Sequence, residues 1–303
     1  MPPRVLVSGA RGLIGVALLP GLRALGCEVV PLTRRATGPG EVGWDPARGR
    51  VEARALEGFD AVVHLAGEPL AARWTPARKA LIRESRVAGT RLLAAGLASL
   101  ERPPRVLVSV SAIGYYGDRG EEALDEASPP GAGFLPGVCR AWEEAAEPAA
   151  ARGIRVVHPR LGLVLTPRGG ALARMLPAFR LGLGGPLGDG RAWWSWVALD
   201  DVLAVLQRAL ADESLAGPVN VVAPGAVRAG DFARALGRQL GRPALLPVPA
   251  LALRLLFGEM ADGALLASAR VKPGRLLAGG YGFRYPGLED ALRHLLPRRR
   301  PAA

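Results

Sequence analysis

Short apolar runs alternate with longer helical stretches through the first half of the chain. Residues 4–8 form an apolar run of β-branched character, which leads through a glycine turn into an apolar helical stretch. Further strand patterns cover 27–33, 61–67, 105–111 and 154–164, and helical periodicity covers 76–100 and 134–151. Strands that alternate with helices are typical of an open parallel sheet with helices on both faces. We therefore predict an α/β fold with a Rossmann-type, doubly wound parallel sheet.

The pattern changes after residue 165. Residues 166–196 are rich in Gly, Arg, Leu and Trp. A helix with acidic residues in its first turn starts near residue 197, and residues 219–222 return to the sheet. From about residue 226 the pattern predicts two or three helices and a short tail. We predict a Rossmann domain over 1–225, with a substrate-side insertion at about 166–197, and a small helical domain over 226–303.

A glycine-rich turn links the first strand to the first helix, with the sequence Ser8-Gly9-Ala10-Arg11-Gly12-Leu13-Ile14-Gly15. A strand, a glycine turn and a helix start together aim backbone N–H groups and the positive end of the helix at a pyrophosphate. The turn therefore predicts a dinucleotide-binding site. The predicted contacts in it are Gly9, Ala10, Arg11, Gly12, Leu13 and Ile14.

The residues after the second strand indicate which dinucleotide binds. Arg34 and Arg35 stand there, and no acidic residue does. An acidic side chain would accept from the ribose 2′-hydroxyl of NAD, whereas guanidinium groups match the 2′-phosphate of NADP. We therefore predict NADP(H) as the cofactor, with Arg11 as a further candidate for the same phosphate. The alternative is a solvated arginine pair in an arginine-rich chain.

Composition narrows the class of protein. A chain of 303 residues, 50% of them hydrophobic, can bury a full core. No apolar run reaches the roughly 20 residues that cross a bilayer, and the start of the chain leaves no room for a signal peptide. We therefore expect a cytoplasmic protein without a membrane partner. Two isolated cysteines and three scattered histidines predict neither a disulfide framework nor a metal site.

The net charge of +12 raises the question of nucleic-acid binding. The arginines are spread along the chain, only Arg298-Arg299-Arg300 forms a run, and no nucleic-acid-binding sequence pattern is present. We predict no nucleic-acid partner, and instead an anionic small-molecule ligand that the positive charge attracts.

Several segments resemble those of extended short-chain dehydrogenase/reductases. They are the glycine turn, His64-Leu65-Ala66-Gly67-Glu68-Pro69, Ser111-Ala112-Ile113-Gly114-Tyr115-Tyr116-Gly117, Pro159-Arg160-Leu161-Gly162 and Gly217-Pro218-Val219-Asn220. More narrowly, the chain resembles the atypical epimerase family proteins, an NAD(P)-dependent, nucleotide-sugar epimerase-like group with a small helical domain at the end. The segments that carry this resemblance are Trp142-Glu143, Arg180-Leu181-Gly182-Leu183-Gly184-Gly185, Trp194-Ser195-Trp196-Val197 and Val271-Lys272-Pro273. The resemblance covers nearly the whole chain and implies a Rossmann domain with an NADP(H) site.

The resemblance also implies positions for cofactor contacts outside the glycine turn. Thr33 and Arg34 would meet the adenosine phosphate, and Val164 would lie near the nicotinamide. Leu65 and Ala66 would lie beside the ribose and pyrophosphate, and Gly67 would let the backbone approach the cofactor. For Arg86, the resemblance is the only basis on which we predict a cofactor contact.

The usual catalytic residues of the superfamily are missing. Those enzymes use a Tyr as general acid/base, a Lys four residues later, and a Ser that steadies the reacting oxygen. This chain has no Tyr-x-x-x-Lys, and its two lysines are Lys79 and Lys272. Tyr115 or Tyr116 is the candidate for the acid/base, with Ser111 as a hydrogen-bond donor. The alternative is that the two tyrosines wall the nicotinamide pocket.

Two residues of the insertion are candidate substrate contacts. Trp194 could stack on a ring, and Arg191 could hold a diphosphate. The alternation of Trp194 and Trp196 fits the core face of a strand equally well. We predict an NADP(H)-binding oxidoreductase or epimerase for an anionic substrate such as a nucleotide sugar. The alternative is a non-catalytic NADPH-binding protein, and the oligomeric state is open.

Overall fold

The computed structural model describes residues 2–36, 38 and 40–297. The arginine run at 298–300 lies outside the described residues. Within them, the strands are β1 (Arg4–Ser8), β2 (Glu28–Thr33), β3 (Val42–Asp45), β4 (Arg50–Val51), β5 (Ala61–His64), β6 (Val106–Ser109), β7 (Ser111–Ala112), β8 (Ala123–Leu124), β9 (Arg155–Leu161), β10 (Leu163–Leu165), β11 (Trp193–Trp194), β12 (Trp196–Ala198), β13 (Gly217–Val221), β14 (Val227–Arg228) and β15 (Arg270–Val271).

Ten helices accompany these strands in the described part of the chain. They are α1 (Leu13–Ala24), α2 (Pro76–Ala98), α3 (Phe134–Glu144), α4 (Glu147–Ala151), α5 (Gly170–Arg180), α6 (Leu199–Ala211), α7 (Ala229–Leu240), α8 (Ala250–Phe257), α9 (Gly274–Ala278) and α10 (Leu288–Leu295). Short 3₁₀ turns occur at Pro46–Arg48, Ala53–Leu56 and Ile113–Tyr115, and a π turn at Ala261–Leu265.

The main sheet has the strand order β13-β9-β6-β5-β1-β2-β3-β4, with β7 paired to β9. The pairs from β9 through β6, β5, β1 and β2 to β3 are parallel, and β3 pairs with β4 in the antiparallel sense. Two further parallel pairs, β10 with β12 and β15 with β8, and the antiparallel pair β11 with β14 lie outside this sheet. The central strands confirm the predicted Rossmann-type parallel sheet.

Apolar side chains on both faces of the sheet hold the helices. Leu6, Val62 and Leu107 point to the face where α2 packs, and all three are buried at 1% exposure or less. On the other side, α1 packs against β2, and Gly21 of α1 lies against Gln207 of α6. Strands buried on both faces explain why their sequences read as continuous apolar runs rather than alternating ones.

Several elements differ from the prediction. The strand predicted over 61–67 ends at His64, and the strand predicted over 105–111 is divided into β6 and β7. The helix predicted over 134–151 is divided into α3 and α4, with Pro148 in the first turn of α4, where its missing N–H costs no hydrogen bond. The strand predicted over 154–164 is interrupted at Gly162, whose backbone lies so close to Ser195 that an added Cβ would be 2.5 Å from its carbonyl oxygen. Residues 226–297 contain four helices rather than two or three.

The chain packs as two units. Within the described residues, unit 1 is drawn from the spans Met1–Tyr115, Gly137–Arg160 and Leu203–Val219, and unit 2 from Tyr116–Pro136, Leu161–Val202 and Asn220–Ala303. Unit 2 has its own core, in which α5, α7 and α10 surround Trp196 and Phe232. Both units are discontinuous in sequence, and the domain boundary near residue 225 stays a prediction.

Candidate functional site

The glycine turn is built so that three glycines each have a steric role. Gly9 has φ +66°, and a Cβ there would lie 2.8 Å from the carbonyl carbon of Leu65. Gly12 donates its N–H to the Gly9 carbonyl at 2.9 Å, and a Cβ on Gly12 would lie 3.2 Å from the same oxygen. A Cβ on Gly15 would lie 2.3 Å from the Gly9 carbonyl oxygen. The turn can therefore close tightly against both α1 and the residues after β5 only without side chains at these positions.

The N-terminus of α1 has the properties of an anion site. Gly12 is the N-cap, no side chain caps it, and the first turn has no acidic residue. The N–H groups of a helix's first turn have no intrahelical acceptor, and the helix dipole adds positive potential there. A 12-residue helix that begins at a glycine turn without a capping side chain fits a pyrophosphate.

The end of β2 carries the residues predicted for the adenosine phosphate. Arg34 lines a surface cavity of about 580 Å³ together with Trp44 and Arg50. Thr33 is buried, and its Oγ1 has no hydrogen-bond partner within the described part of the chain. Arg35 is exposed, and Arg11 is exposed and pairs with Glu41 at 3.2 Å.

The loop after β5 lies directly against the glycine turn. The backbone N–H groups of Leu65 and Ala66 donate to Ser8 Oγ at 3.1 and 3.3 Å. The Arg86 guanidinium lies beside Gly67, where an added Cβ would be 3.3 Å from its Cζ. Arg86 Nη1 donates to the Glu68 carbonyl at 2.9 Å, so its observed role is to hold this loop in place.

A series of hydrogen-bonded, buried polar side chains holds the loop after β5 in place. Ser8 and His64 are level on β1 and β5, and His64 Nδ1 lies 2.6 Å from Ser8 Oγ. His64 Nε2 lies 3.0 Å from Thr90 Oγ1, which also accepts from Trp142 Nε1 at 2.9 Å. Because Ser8 Oγ already accepts two N–H groups, its hydrogen is donated to Nδ1, and Nε2 carries the imidazole proton. Burial lowers the pKa of His64 to about 4, in agreement with a neutral ring.

A second buried cluster lies beyond the ends of β6 and β9 in unit 1. Arg160 forms a two-pronged ion pair with Glu143, Nε to Oε1 and Nη2 to Oε2, both at 2.8 Å. The Arg160 side chain is 3% exposed and that of Glu143 is 12% exposed. Ser111 Oγ donates to Glu143 Oε1 at 2.7 Å, and the Arg160 guanidinium lies 3.5 Å from the centroid of the Tyr115 ring. The four side chains form one continuous polar group, which we call the Glu143 cluster.

Two titratable neighbours of the Glu143 cluster, His158 and Cys139, have shifted pKa values. Burial lowers the pKa of His158, whose Nδ1 lies 3.3 Å from the Ser109 carbonyl oxygen. Burial and the Glu143 carboxylate raise the pKa of the Cys139 thiol to about 12. Both His158 and Cys139 are therefore neutral at neutral pH.

Ser111 and Tyr116 both have hydrogen-bond partners within the chain, and their catalytic roles stay predictions. Ser111, for which we predict a hydrogen bond to a reacting oxygen, donates its hydrogen to Glu143. Tyr116 is fully buried, and its hydroxyl donates to Asn220 Oδ1 at 2.8 Å within unit 2. This contact fits a structural role for Tyr116, whereas Tyr115 is half-buried beside Arg160.

The predicted contacts on unit 2 are distributed over its inserted segment. Val164 lies on β10, level with Val197 of β12. Trp194 is half-buried, with its ring centroid 5.2 Å from that of Phe232, so it packs against the core of unit 2. Arg191 is exposed, and its carbonyl accepts from Arg228.

Sequence reasoning gave no role to several residues of the two buried polar groups. Glu143 and Arg160 belong to segments that carried the family resemblance, but 17 positions of chain separate them, and no local pattern pairs them. His64 and Thr90 are likewise 26 positions apart. His64, Glu143 and Arg160 lie in those segments, whereas no sequence signal pointed to Thr90.

Two kinds of feature are absent from the described residues. No group of three or more His, Cys, Asp or Glu side chains there could hold a metal ion. No helix among them is both long and apolar enough to cross a membrane.

Two family models match the chain. Residues 5–222 match the NAD-dependent epimerase/dehydratase family, and residues 248–295 match a domain of unknown function, DUF1731. The first model covers more than half of the chain, including the glycine turn and both buried polar groups.

Individual proteins match over nearly the whole length. Epimerase family protein Mb2239 of Mycobacterium bovis is 41% identical over 296 residues, which cover 97% of this chain and 98% of that protein. The crystal structure of human epimerase family protein SDR39U1 with NADPH has a TM-score of 0.89 and 36% identity, covering 97% of this chain and 99% of that one. A nucleoside-diphosphate sugar epimerase from Corynebacterium glutamicum has a TM-score of 0.81 and 38% identity, covering 98% of this chain and 58% of that one.

Proposed function

We propose that this chain, which belongs to the NAD-dependent epimerase/dehydratase family, binds NADP(H) and uses it in an oxidoreductase or epimerase reaction on an anionic substrate. The observation that carries the cofactor proposal is the uncapped N-terminus of α1 behind the Gly9–Gly15 turn. The NADPH named in the crystal structure of human SDR39U1 supports the same cofactor.

The residues for each part of NADPH follow from their positions. The N–H groups at the start of α1 would hold the pyrophosphate. Arg34 would hold the 2′-phosphate, since guanidinium and phosphate form charge-assisted hydrogen bonds, and Thr33 Oγ1 would gain a partner nearby. When bound, the cofactor would supply hydride chemistry, since NADPH can donate a hydride and NADP⁺ can accept one.

The chain's own part in the chemistry is assigned to the Glu143 cluster. Because Ser111 donates its hydrogen to Glu143, its lone pairs are left to accept from a hydroxyl of the substrate. Tyr115 is the candidate proton donor and acceptor, and the Arg160 guanidinium over its ring supplies the positive charge that a lysine gives in related enzymes. Glu143 holds both Ser111 and Arg160 and is therefore a positioning residue.

Two observations support a nucleotide sugar as the substrate. They are the positive charge of the chain and the name of one similar protein. A nucleotide sugar carries a diphosphate, which suits an exposed Arg191 in a chain of net charge +12. The name of the Corynebacterium glutamicum protein, a nucleoside-diphosphate sugar epimerase, supports this class.

A second candidate function is NADPH binding without catalysis. The absence of any Tyr-x-x-x-Lys from the sequence favours it. In that case the Glu143 cluster would only stabilise the ends of β6 and β9.

Two measurements test the proposal. Arg34→Ala should weaken NADPH binding by about tenfold or more and leave NADH binding nearly unchanged, because only NADPH carries the 2′-phosphate. Fluorescence titration with both cofactors measures this. Arg23→Ala, at the opposite end of α1, is the control and should change neither. Equal losses for the two cofactors would contradict the role of Arg34.

The second measurement separates an enzyme from a binding protein. Stereospecifically deuterated [4-²H]NADPH is incubated with the protein and a pool of nucleotide sugars and other anionic metabolites. A reductase should transfer label to a carbonyl compound in the pool, whereas an epimerase should convert a nucleotide sugar of the pool into its epimer in the presence of NADP⁺ without net transfer of label. Tyr115→Phe should slow either reaction without weakening cofactor binding. Tight NADPH binding with neither reaction in any pool would support the non-catalytic function.

A further inference from the structure

Two arginines of unit 1 line the same surface cavity. The cavity of about 580 Å³ is formed by residues of β3 and β4, by the turn between these strands and by Arg34, which follows β2. Its second arginine is Arg50, the first residue of β4. Both side chains are exposed, and neither forms an ion pair with a described residue. Because a guanidinium has five N–H donors and no acceptor, two unpaired guanidiniums at one cavity suit an anionic ligand.

A capped turn fixes the backbone that leads to Arg50. Asp45 is the N-cap of the 3₁₀ turn at Pro46–Arg48 and accepts from the N–H of its last residue at 3.2 Å. Gly49 ends the turn with φ +63°, a conformation that glycine adopts without strain. The chain then reverses, and Arg50 lies opposite Asp45 in the antiparallel pair of β3 and β4. The position of Arg50 beside the cavity therefore follows from the turn and the strand pairing.

The cavity wall also has two carboxylates, and one of them is engaged by an arginine. Asp45 accepts from the Arg48 N–H with one oxygen, and its other oxygen lies 3.7 Å from Arg48 Nε. Glu52 is exposed and adds a second negative charge. Together with Arg34 and Arg50, Arg48 gives three guanidiniums against two carboxylates. The region around the cavity therefore keeps a positive charge.

The other two arginines that the sequence suggests for the 2′-phosphate are placed less favourably. Arg11 is paired with Glu41 at 3.2 Å. Arg35 is exposed and is not among the described residues that line the cavity. Arg50 shares the cavity with Arg34, although β3 and a turn separate them along the chain.

We infer that Arg50 is a second ligand of the 2′-phosphate of NADP(H) and, with Arg34, selects this cofactor over NAD(H). The inference rests on the proposed function, in which Arg34 holds this phosphate. A phosphate monoester carries a charge of about −1.5 to −2 at neutral pH and has three terminal oxygens, so it can accept charge-assisted hydrogen bonds from two guanidiniums. NAD(H) has a hydroxyl in its place and leaves both guanidiniums without an anion. Arg50 therefore contributes to the affinity for the phosphorylated cofactor alone.

Fluorescence titration of the full chain with NADPH and NADH, and displacement of NADPH by 2′,5′-ADP and by 5′-ADP, test this role. Arg50→Ala should weaken the binding of NADPH and 2′,5′-ADP by about tenfold or more, because a charge-assisted contact with the 2′-phosphate is lost. It should change the binding of NADH and 5′-ADP by less than about twofold. Arg50→Lys, which keeps the charge but not the planar pair of donors, should lie between the wild type and Arg50→Ala.

The control is Arg54→Ala. Arg54 is also exposed, lies in the turn at Ala53–Leu56 and is not among the described residues that line the cavity. Its loss should leave all four affinities unchanged, which separates a local contact from the loss of one positive charge.

Two results for Arg50→Ala would overturn the inference. They are affinities like those of Arg54→Ala, and an equal loss of affinity for NADPH and NADH. In either case a selective loss of NADPH binding in Arg34→Ala would leave the proposed cofactor site standing. A wild type that binds NADPH no more tightly than NADH would refute the inference and the proposed cofactor together.

Discussion

At the scale of single residues, Glu143 and Arg160 form the least solvent-exposed ion pair in the described part of the chain. Two parallel hydrogen bonds at 2.8 Å and the hydroxyl of Ser111 satisfy the Glu143 carboxylate. Such a pair contributes little net stability as a whole, but the loss of one partner leaves the other charge buried and unpaired. The geometry of Ser111 and Tyr115 depends on this pair.

We therefore expect substitutions of Glu143 and Glu144, which are neighbours in α3, to reduce the free energy of unfolding by very different amounts. Glu143→Ala should reduce the free energy of unfolding by about 3–5 kcal/mol, because Arg160 loses its counter-ion in a buried position. Glu144→Ala removes an exposed pair with Arg140 at 3.7 Å and should cost no more than about 0.5 kcal/mol. Urea unfolding of both variants measures the difference, and similar losses would contradict the buried role of Glu143.

At the scale of elements, the packing of α1 against the glycine turn sets how closely a ligand can approach the backbone. Gly15 lies inside α1, where a glycine ordinarily weakens a helix. No side chain fits at Gly15, because an added Cβ would overlap the carbonyl oxygen of Gly9. By contrast, Gly137 in α3 has no atom within 4 Å of an added Cβ.

The same substitution should therefore have opposite effects in the two helices. Gly15→Ala should destabilise the protein by about 1–3 kcal/mol through overpacking and weaken NADPH binding by displacing the turn. Gly137→Ala should stabilise it by about 0.5–1 kcal/mol, since alanine loses less entropy in a helix. Thermal unfolding and NADPH titration measure the two effects. A stabilising Gly15→Ala would show that the turn is not as tightly packed as described.

At the scale of the whole molecule, buried neutral histidines make stability depend on pH. His64 has a pKa of about 4 in the folded chain, lowered by burial from 6.5, and burial lowers the pKa of His158 as well. Below pH 6.5 the unfolded chain binds protons that the folded chain does not, so acidification favours unfolding. His64 has no such effect above pH 6.5, where both states are neutral.

We expect the free energy of unfolding to fall as the pH is lowered from 6.5 towards 4, with about 3 kcal/mol of the loss due to His64. Urea titrations between about pH 7.5 and about pH 4.5 measure this loss. His64→Gln, which cannot be protonated, should be less stable than the wild type at neutral pH but should lose less stability on acidification. Equal pH slopes for the two proteins would assign the acid sensitivity to other groups.

The sequence by itself determined the features that local chemistry encodes. The apolar runs and helical periods predicted the parallel sheet, and the glycine spacing placed the turn between β1 and α1. Both depend on residues that are neighbours along the chain, where the backbone preferences of glycine and the periodicity of apolar side chains act directly. The prediction that Arg34 meets the adenosine phosphate rests on the same kind of local signal, since Arg34 directly follows β2.

Only the tertiary structure decided which distant side chains meet. Ser111, Glu143 and Arg160 come from three separate segments, and their union depends on how β6, α3 and β9 are arranged. Tyr115 and Tyr116 are adjacent in sequence, yet one contacts Arg160 and the other is buried against Asn220. Pairing across long stretches of chain follows from sheet order and helix packing, which no local pattern specifies. The sequence therefore predicted where a dinucleotide would bind, and the tertiary structure decided which side chains form the Glu143 cluster.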